Sequence, residues 1–190
     1  MRRPAVLLLL AVACSEGTDP GTQYYSLSQT QAEAATEVLV AGVAGPLLAL
    51  VPRTVTSGLI QLPVTSSTDC PESGVMTLSG IIQGTVSGGA ASLLINVGES
   101  VSRCVVPLEG KTYEMNGVPV ISVGGFVNYL GGLLLATQSL FLTGTVQVIG
   151  DQNAQAICPV DLTVTITGWS SPVRVQGSLC GRGIDQTVVA

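Results

Sequence analysis

The sequence predicts a mainly β domain that begins with one apolar helix, an α+β fold. Near residue 55 the hydrophobic period changes from 3.6 residues, typical of a helix, to 2 residues, typical of a half-buried strand. Glycine, proline and asparagine then divide the chain into short alternating segments. We therefore expect a curved antiparallel meander or sandwich of about 7–9 strands with the apolar helix packed on one face.

The helix is expected over about residues 29–51. Thr30 to Glu33 fits a capping box, and Ser28 is an alternative N-cap. Residues 38–51 contain no charged or strongly polar side chain. Pro46 lies within this segment and is expected to kink or split the helix, because proline cannot donate a backbone hydrogen bond.

The apolar segment has two interpretations. As a core helix it packs against the sheet, which suits its length better than a membrane span of about 20 residues does. Alternatively, it meets lipid or an acyl ligand. In either case the residues expected to make apolar contacts are Val38, Leu39, Leu47 and Leu48.

The β body is expected over about residues 55–181. In the clearest segment, Leu162 to Thr167, aliphatic residues alternate with threonines. Asn116–Gly117 is the strongest hairpin signal in the chain, and Pro119 just beyond it suggests an edge strand.

One short motif recurs, in which an aliphatic residue is followed by Ser, Thr or Gln and then by Gly. Because glycine in a strand often marks a bend or a close approach, the motif predicts a strongly curved sheet whose concave face receives the helix. It occurs at 78–80, 142–144, 166–168 and 175–177.

The first 13 residues have the anatomy of a secretory signal peptide. Arg2 and Arg3 form a positive start, Ala5 to Val12 is an apolar core, and Ala13 is a small residue at a plausible cleavage point. The apolar run is too short to span a bilayer. We therefore expect residues 1–13 to be removed on export.

Leu10 to Cys14, with the sequence LAVAC, resembles the lipobox of bacterial lipoproteins. The resemblance implies that Cys14 carries covalent lipid after cleavage and anchors the protein in the cell envelope. Ser15 follows the cysteine where inner-membrane lipoproteins tend to have Asp, so the outer membrane is favoured by analogy. Residues 14–26 then form a flexible tether of up to roughly 40 Å, and 27–190 form one domain.

The remaining cysteines are even in number. Three connectivities are possible, and structural zinc is disfavoured because the chain has no histidine and no C-x-x-C spacing. We favour Cys70–Cys104 and Cys158–Cys180, because each pair brackets a contiguous set of strands.

Composition argues against several classes of function. Without Arg2 and Arg3 the mature chain carries a formal charge of about −7, so no basic footprint for nucleic acid is present. The absence of histidine removes the usual general base. Scattered acids, Asp151, Asp161 and Asp185, leave a carboxylate hydrolase as a remote alternative.

Three functions follow as expectations. The first is a non-enzymatic envelope lipoprotein with a structural or protein-interaction role and no cofactor beyond its covalent lipid. The second is a carrier of lipid or another apolar ligand, and the third is the carboxylate hydrolase. Trp169 is expected in a hairpin connection, where it either caps the core or forms a small exposed contact.

Overall fold

The computed structural model describes residues 26–50, 57–108, 110–135, 137–150, 154–168 and 172–189. In this part of the chain one N-terminal helix packs against a ten-stranded antiparallel sheet, so the predicted fold class is confirmed. The elements are α1 (Gln29–Leu50), β1 (Gly58–Asp69), β2 (Ser73–Ser87), β3 (Ala90–Leu108), β4 (Lys111–Gly117), β5 (Ile121–Leu130), β6 (Leu133–Leu134), β7 (Gln138–Ile149), β8 (Gln155–Ile166), β9 (Val173–Leu179) and β10 (Arg182–Val188).

The strands follow one another across the sheet in the order β1-β2-β3-β4-β7-β8-β9-β10. β5 also lies between β3 and β7, beyond the end of β4. The helix contacts both edge strands, β1 and β10, as well as β3 in the middle. The sheet therefore curls around the helix, as the glycine motif predicted.

Strand alternation places one aliphatic face against the helix. In β8, Leu162, Val164 and Ile166 are buried, as the pattern predicted. The strands continue past the expected end at residue 181, because β10 completes a hairpin with β9. The core thus lies between α1 and the concave face of the sheet.

The helix begins at the alternative N-cap. Ser28 Oγ accepts a hydrogen bond from the Gln31 backbone N–H at 3.1 Å, and Gln31 Oε1 accepts one from the Ser28 N–H at 2.9 Å. These two bonds form a capping box that spans the four residues from Ser28 to Gln31. Pro46 lies inside α1 and does not split it.

The predicted hairpin at Asn116–Gly117 is wrong. β4 and β5 do not pair with each other but follow end to end between β3 and β7, joined through a cis Val118–Pro119 peptide. A two-residue hairpin of this type needs positive φ at both turn residues, and neither Asn116 nor Gly117 has it. Pro119 accordingly lies in a connection within the sheet and not on an edge strand.

Two glycines of the recurrent motif allow neighbouring strands to approach closely. A Cβ atom on Gly80, whose φ is 149°, would lie 2.5 Å from the Asn96 carbonyl oxygen. Gly177 has a φ of 136°, and a Cβ atom there would lie even closer to the Asp161 carbonyl oxygen. Such positions favour glycine, which explains its place in the motif at residues 80 and 177.

Polar contacts fix the first half of α1. Gln29 Nε2 donates to the Gly183 carbonyl at 2.7 Å, and Gln186 Nε2 donates to the Glu33 carbonyl at 2.9 Å. Arg182 Nε also donates to the Leu27 carbonyl at 2.9 Å. The chain therefore comes into the domain beside the start of β10.

Candidate functional site

Two disulfides lie at one end of the sheet and confirm both favoured pairings, Cys70–Cys104 and Cys158–Cys180. The first joins the β1–β2 connection to β3, and the second joins β8 to the β9–β10 turn. Leu27 is buried at this same end, beside Cys158 and Cys180. We call it the disulfide end, and the opposite end, which contains the β2–β3 turn, the far end.

The residues predicted to make apolar contacts belong to the core. Leu39, Leu47 and Leu48 are buried, whereas Val38 is half-buried at the helix surface. Within the described residues, α1 is long and apolar enough to cross a membrane by length and composition, and half of that stretch is buried in the domain. Cys14, Val51, Asp151 and Trp169 lie outside the described residues.

An open groove of about 370 Å³ lies between the helix and the disulfide end of the sheet. Its lining is mostly apolar, and we call it the helix groove. The helix contributes Ala34, Glu37, Val38 and Ala41, and the sheet side contributes Thr68, Asp69, Pro71, Met76 and Pro107. Its volume is in the range of small-molecule sites, about 300–1,000 Å³.

Glu99 lies buried beneath the helix near this groove. It is on the inner face of β3, with Leu78 of β2 and Ile121 of β5 as its cross-strand partners, and it is 0% exposed. Neither carboxyl oxygen has a hydrogen-bond partner. Among the residues that the structure describes, these are the only buried side-chain polar atoms in that state, and such groups call for an explanation.

A glycine of the helix makes room for this carboxyl. A Cβ atom on Gly42 would lie 2.7 Å from Glu99 Oε1 and 2.9 Å from both Sδ and Cε of Met76. The Glu99 carboxyl and the Met76 thioether therefore both pack against Gly42. Burial raises the pKa of Glu99 from 4.5 to about 8, because a carboxylate loses its hydration there.

A second groove, of about 470 Å³, lies on the convex face of the sheet towards the far end. We call it the outer groove. Apolar residues dominate one part of it: Leu59 is 88% exposed and Phe126 is 59% exposed, while Leu94 is the cross-strand partner of Phe126. Its lining comprises Leu59, Ile60, Gln61, Gln83, Gly84, Thr85, Ser92, Leu94 and Phe126.

Phe141 extends this apolar surface. It is 52% exposed on β7, where it pairs with Gly124 and is therefore diagonal to Phe126 on the same face. Large aromatic side chains on the outward face of interior strands are unusual beside the serines and threonines that occupy much of this sheet. Exposed apolar patches of this kind mark interaction sites.

The acids considered for hydrolysis do not form a pair. Asp161 is exposed on β8, and Asp185 lies two strands away on β10. Arg174 donates to both oxygens of Asp185, at 2.9 and 3.0 Å, and this hydrogen bonding holds the pKa of Asp185 below its usual range. Asp185 is therefore an ionised acceptor in an ion pair and is not suited to donate a proton in hydrolysis.

In the described part of the chain, no three His, Cys, Asp or Glu side chains are grouped so that they could hold a metal ion. No family model matches the sequence, and neither the curated proteins nor the solved structures include a significant match. The two grooves and Glu99 are therefore the features from which a function can be argued.

Proposed function

We propose that the protein is a non-enzymatic bacterial lipoprotein, anchored in the cell envelope through lipid on Cys14, that binds a partner protein. The outer membrane is the favoured location. Export is supported by the two disulfides, which persist in oxidising compartments. The position of the chain entry supports anchoring. Leu27, which follows the tether, lies at the disulfide end of the domain, so this end would face the membrane.

The outer groove is the observation that carries the protein-binding role. Its apolar residues Leu59, Leu94 and Phe126 are rimmed by uncharged hydrogen-bonding side chains, Gln61, Gln83, Thr85 and Ser92. An apolar centre within a polar rim is the composition of protein–protein interfaces. Ser92 and Cys104 are 12 residues apart on β3. At the rise per residue of a β-strand, this separates the groove from the first disulfide by up to about 40 Å. The groove is thus presented away from the anchored end.

A photo-crosslinking residue in place of Phe126 is expected to yield one discrete adduct in intact cells. The same residue in place of Asp161, which is exposed on the same convex face, serves as the matched control and should yield none. Adding Leu59→Ser should abolish the adduct while changing the free energy of unfolding by less than about 0.5 kcal/mol. Adducts of equal strength at both positions would contradict a specific interface, and an adduct of twice the chain mass would identify the partner as a second copy.

Cys14→Ala is expected to release the protein from the membrane fraction. Intact mass analysis of the membrane-extracted wild type should show an added diacylglyceryl group that the variant lacks. A single acyl chain binds membranes only marginally, whereas two or more give stable anchoring. Equal membrane association of both proteins, with no diacylglyceryl mass on the wild type, would rule out the anchor.

The helix groove supports a second candidate function, the binding of a small apolar ligand. It lies between the sheet and α1, the helix that contains the apolar segment expected to contact either the core or acyl chains. It also opens at the disulfide end, the end that the tether would hold near the membrane. Purification of the domain from Ser15 onward, followed by native mass spectrometry, tests for a copurifying ligand.

A further inference from the structure

We propose that the helix groove binds a short alkylamine amphiphile, with the alkyl chain in the groove and the ammonium group against Glu99. The proposal rests on the second candidate function and names its ligand class. Three observations carry it: the position of Met76, the lack of partners for Glu99, and the acidic rim of the groove.

Met76 separates the carboxyl from the groove. One side of its side chain lines the groove, and its Sδ and Cε atoms lie against Gly42 beside Glu99 Oε1. Methionine is unbranched and adapts readily to different packing arrangements. Access of a ligand to the carboxyl therefore requires the Met76 side chain to change its rotamer.

The carboxyl lacks the hydrogen bonds that a ligand can supply. Both oxygens of Glu99 are buried without partners. A primary ammonium group has three N–H donors and forms charge-assisted hydrogen bonds with a carboxylate. Binding of such a group thus satisfies a buried polar group that the domain itself leaves unsatisfied.

The rim of the groove selects the sign of the ligand charge. Glu37 and Asp69 are both exposed at its edge, and none of the described residues that line the groove is basic. A cation is attracted to this site, whereas a fatty-acid carboxylate is repelled. The remaining lining, including Ala34, Val38 and Pro107, is suited to an alkyl chain.

The predicted ligand class is tested by calorimetric titration of the disulfide-intact domain with n-octylamine, octanoic acid and 1-octanol. Octylamine is expected to bind at least tenfold more tightly than the other two. Glu99→Gln should weaken octylamine binding at least tenfold. Ala41→Trp, which fills the groove, should abolish binding, whereas Ala49→Trp on the exposed end of α1 should leave it unchanged.

Affinity for octylamine is also expected to rise with pH between 6 and 8. Glu99 must lose its proton to pair with an ammonium group, and its pKa is about 8. The groups that face it, Gly42 on α1, Met76 and Leu78 on β2 and Ile121 on β5, do not titrate. A pH-independent affinity would indicate that the ammonium does not reach Glu99.

The possible failures are distinguishable. If octanoic acid or octanol binds as tightly as octylamine, or if Glu99→Gln binds octylamine as the wild type does, the alkylamine proposal is overturned while ligand binding stands. If none of the three probes binds, the second candidate function fails as well. Glu99→Gln is expected to fold, because glutamine has nearly the same shape and does not carry the cost of burying an ionisable group. A loss of binding in this variant therefore reports on the carboxyl and not on unfolding.

Discussion

Glu99→Gln is expected to stabilise the folded domain by about 4 kcal/mol at pH 8 and to change its stability little near pH 4. The physical reason is the burial of the carboxyl, which raises its pKa to about 8 in the folded state from an ordinary value of 4.5. Folding at neutral pH therefore requires Glu99 to take up a proton. Glutamine has nearly the same shape and carries no such requirement.

The direction of the pH dependence follows from the proton count. Below pH 4.5 the carboxyl is protonated in both states and its ionisation contributes nothing. Between 4.5 and 8 the folded state holds a proton that the unfolded chain has lost, so the free energy of unfolding falls as pH rises. The fall approaches about 1.4 kcal/mol per pH unit and ends above pH 8.

Urea unfolding of the wild type and the variant at pH 4, 6 and 8 measures this difference. Glu37→Gln is the matched control, because it makes the same chemical change at an exposed position on the helix. Subtracting the control from the Glu99 variant isolates the effect of burial. Parallel dependence on pH in the wild type and Glu99→Gln would show that Glu99 is not a buried, protonated group.

The position of Glu99 could have been predicted from strand alternation. Leu93, Ile95 and Val97 face the core, and the same period of two places Glu99 and Val101 on that face. The aliphatic run ends at Val97, so the sequence pattern does not by itself draw attention to Glu99. What alternation does not indicate is the neighbour across the interface, since Gly42 comes from the helix and is adjacent only after folding.

The hairpin at Asn116–Gly117 shows a different limit. Its local signal was strong, but β3 is 19 residues long and pairs with β5 over one half and β4 over the other. Continuous pairing along β3 and β7 favours two strands in line over a turn that would fold β5 back on β4. Asn116 Oδ1 instead accepts a hydrogen bond from the Arg103 N–H at 2.8 Å, a contact between strands that sequence alone does not reveal.

The two grooves were also beyond a sequence-based prediction. Leu59 and Phe126 are 67 residues apart in the chain. They line the same groove only because β2 and β3 join their strands, β1 and β5, in one sheet. The disulfides, by contrast, were predictable, because each joins segments that flank the same short set of strands. Local patterns thus gave the elements and the covalent links, whereas the surfaces depend on strand order.

Replacing both Cys70 and Cys104 by alanine is expected to lower the free energy of unfolding by about 4 kcal/mol. The bond closes a loop of 34 residues, and releasing it returns conformational entropy to the unfolded chain. It also lies beside an irregular stretch of the β2–β3 ladder, where the register shifts between Ser73 and Val75. There, Cys70 N–H donates to the Gly74 carbonyl at 3.2 Å and Glu72 N–H donates to the Val105 carbonyl at 3.1 Å.

Guanidinium unfolding with and without reductant measures the contribution of this bond. Cys158→Ala with Cys180→Ala is the matched control, which opens a loop of 22 residues and is expected to cost slightly less, about 3 kcal/mol. Reductant should destabilise each double variant by the amount that its remaining disulfide contributes. If reductant leaves the wild type unchanged, the cysteines are not paired in the protein. If it destabilises the wild type, the two bonds stabilise the disulfide end of the sheet.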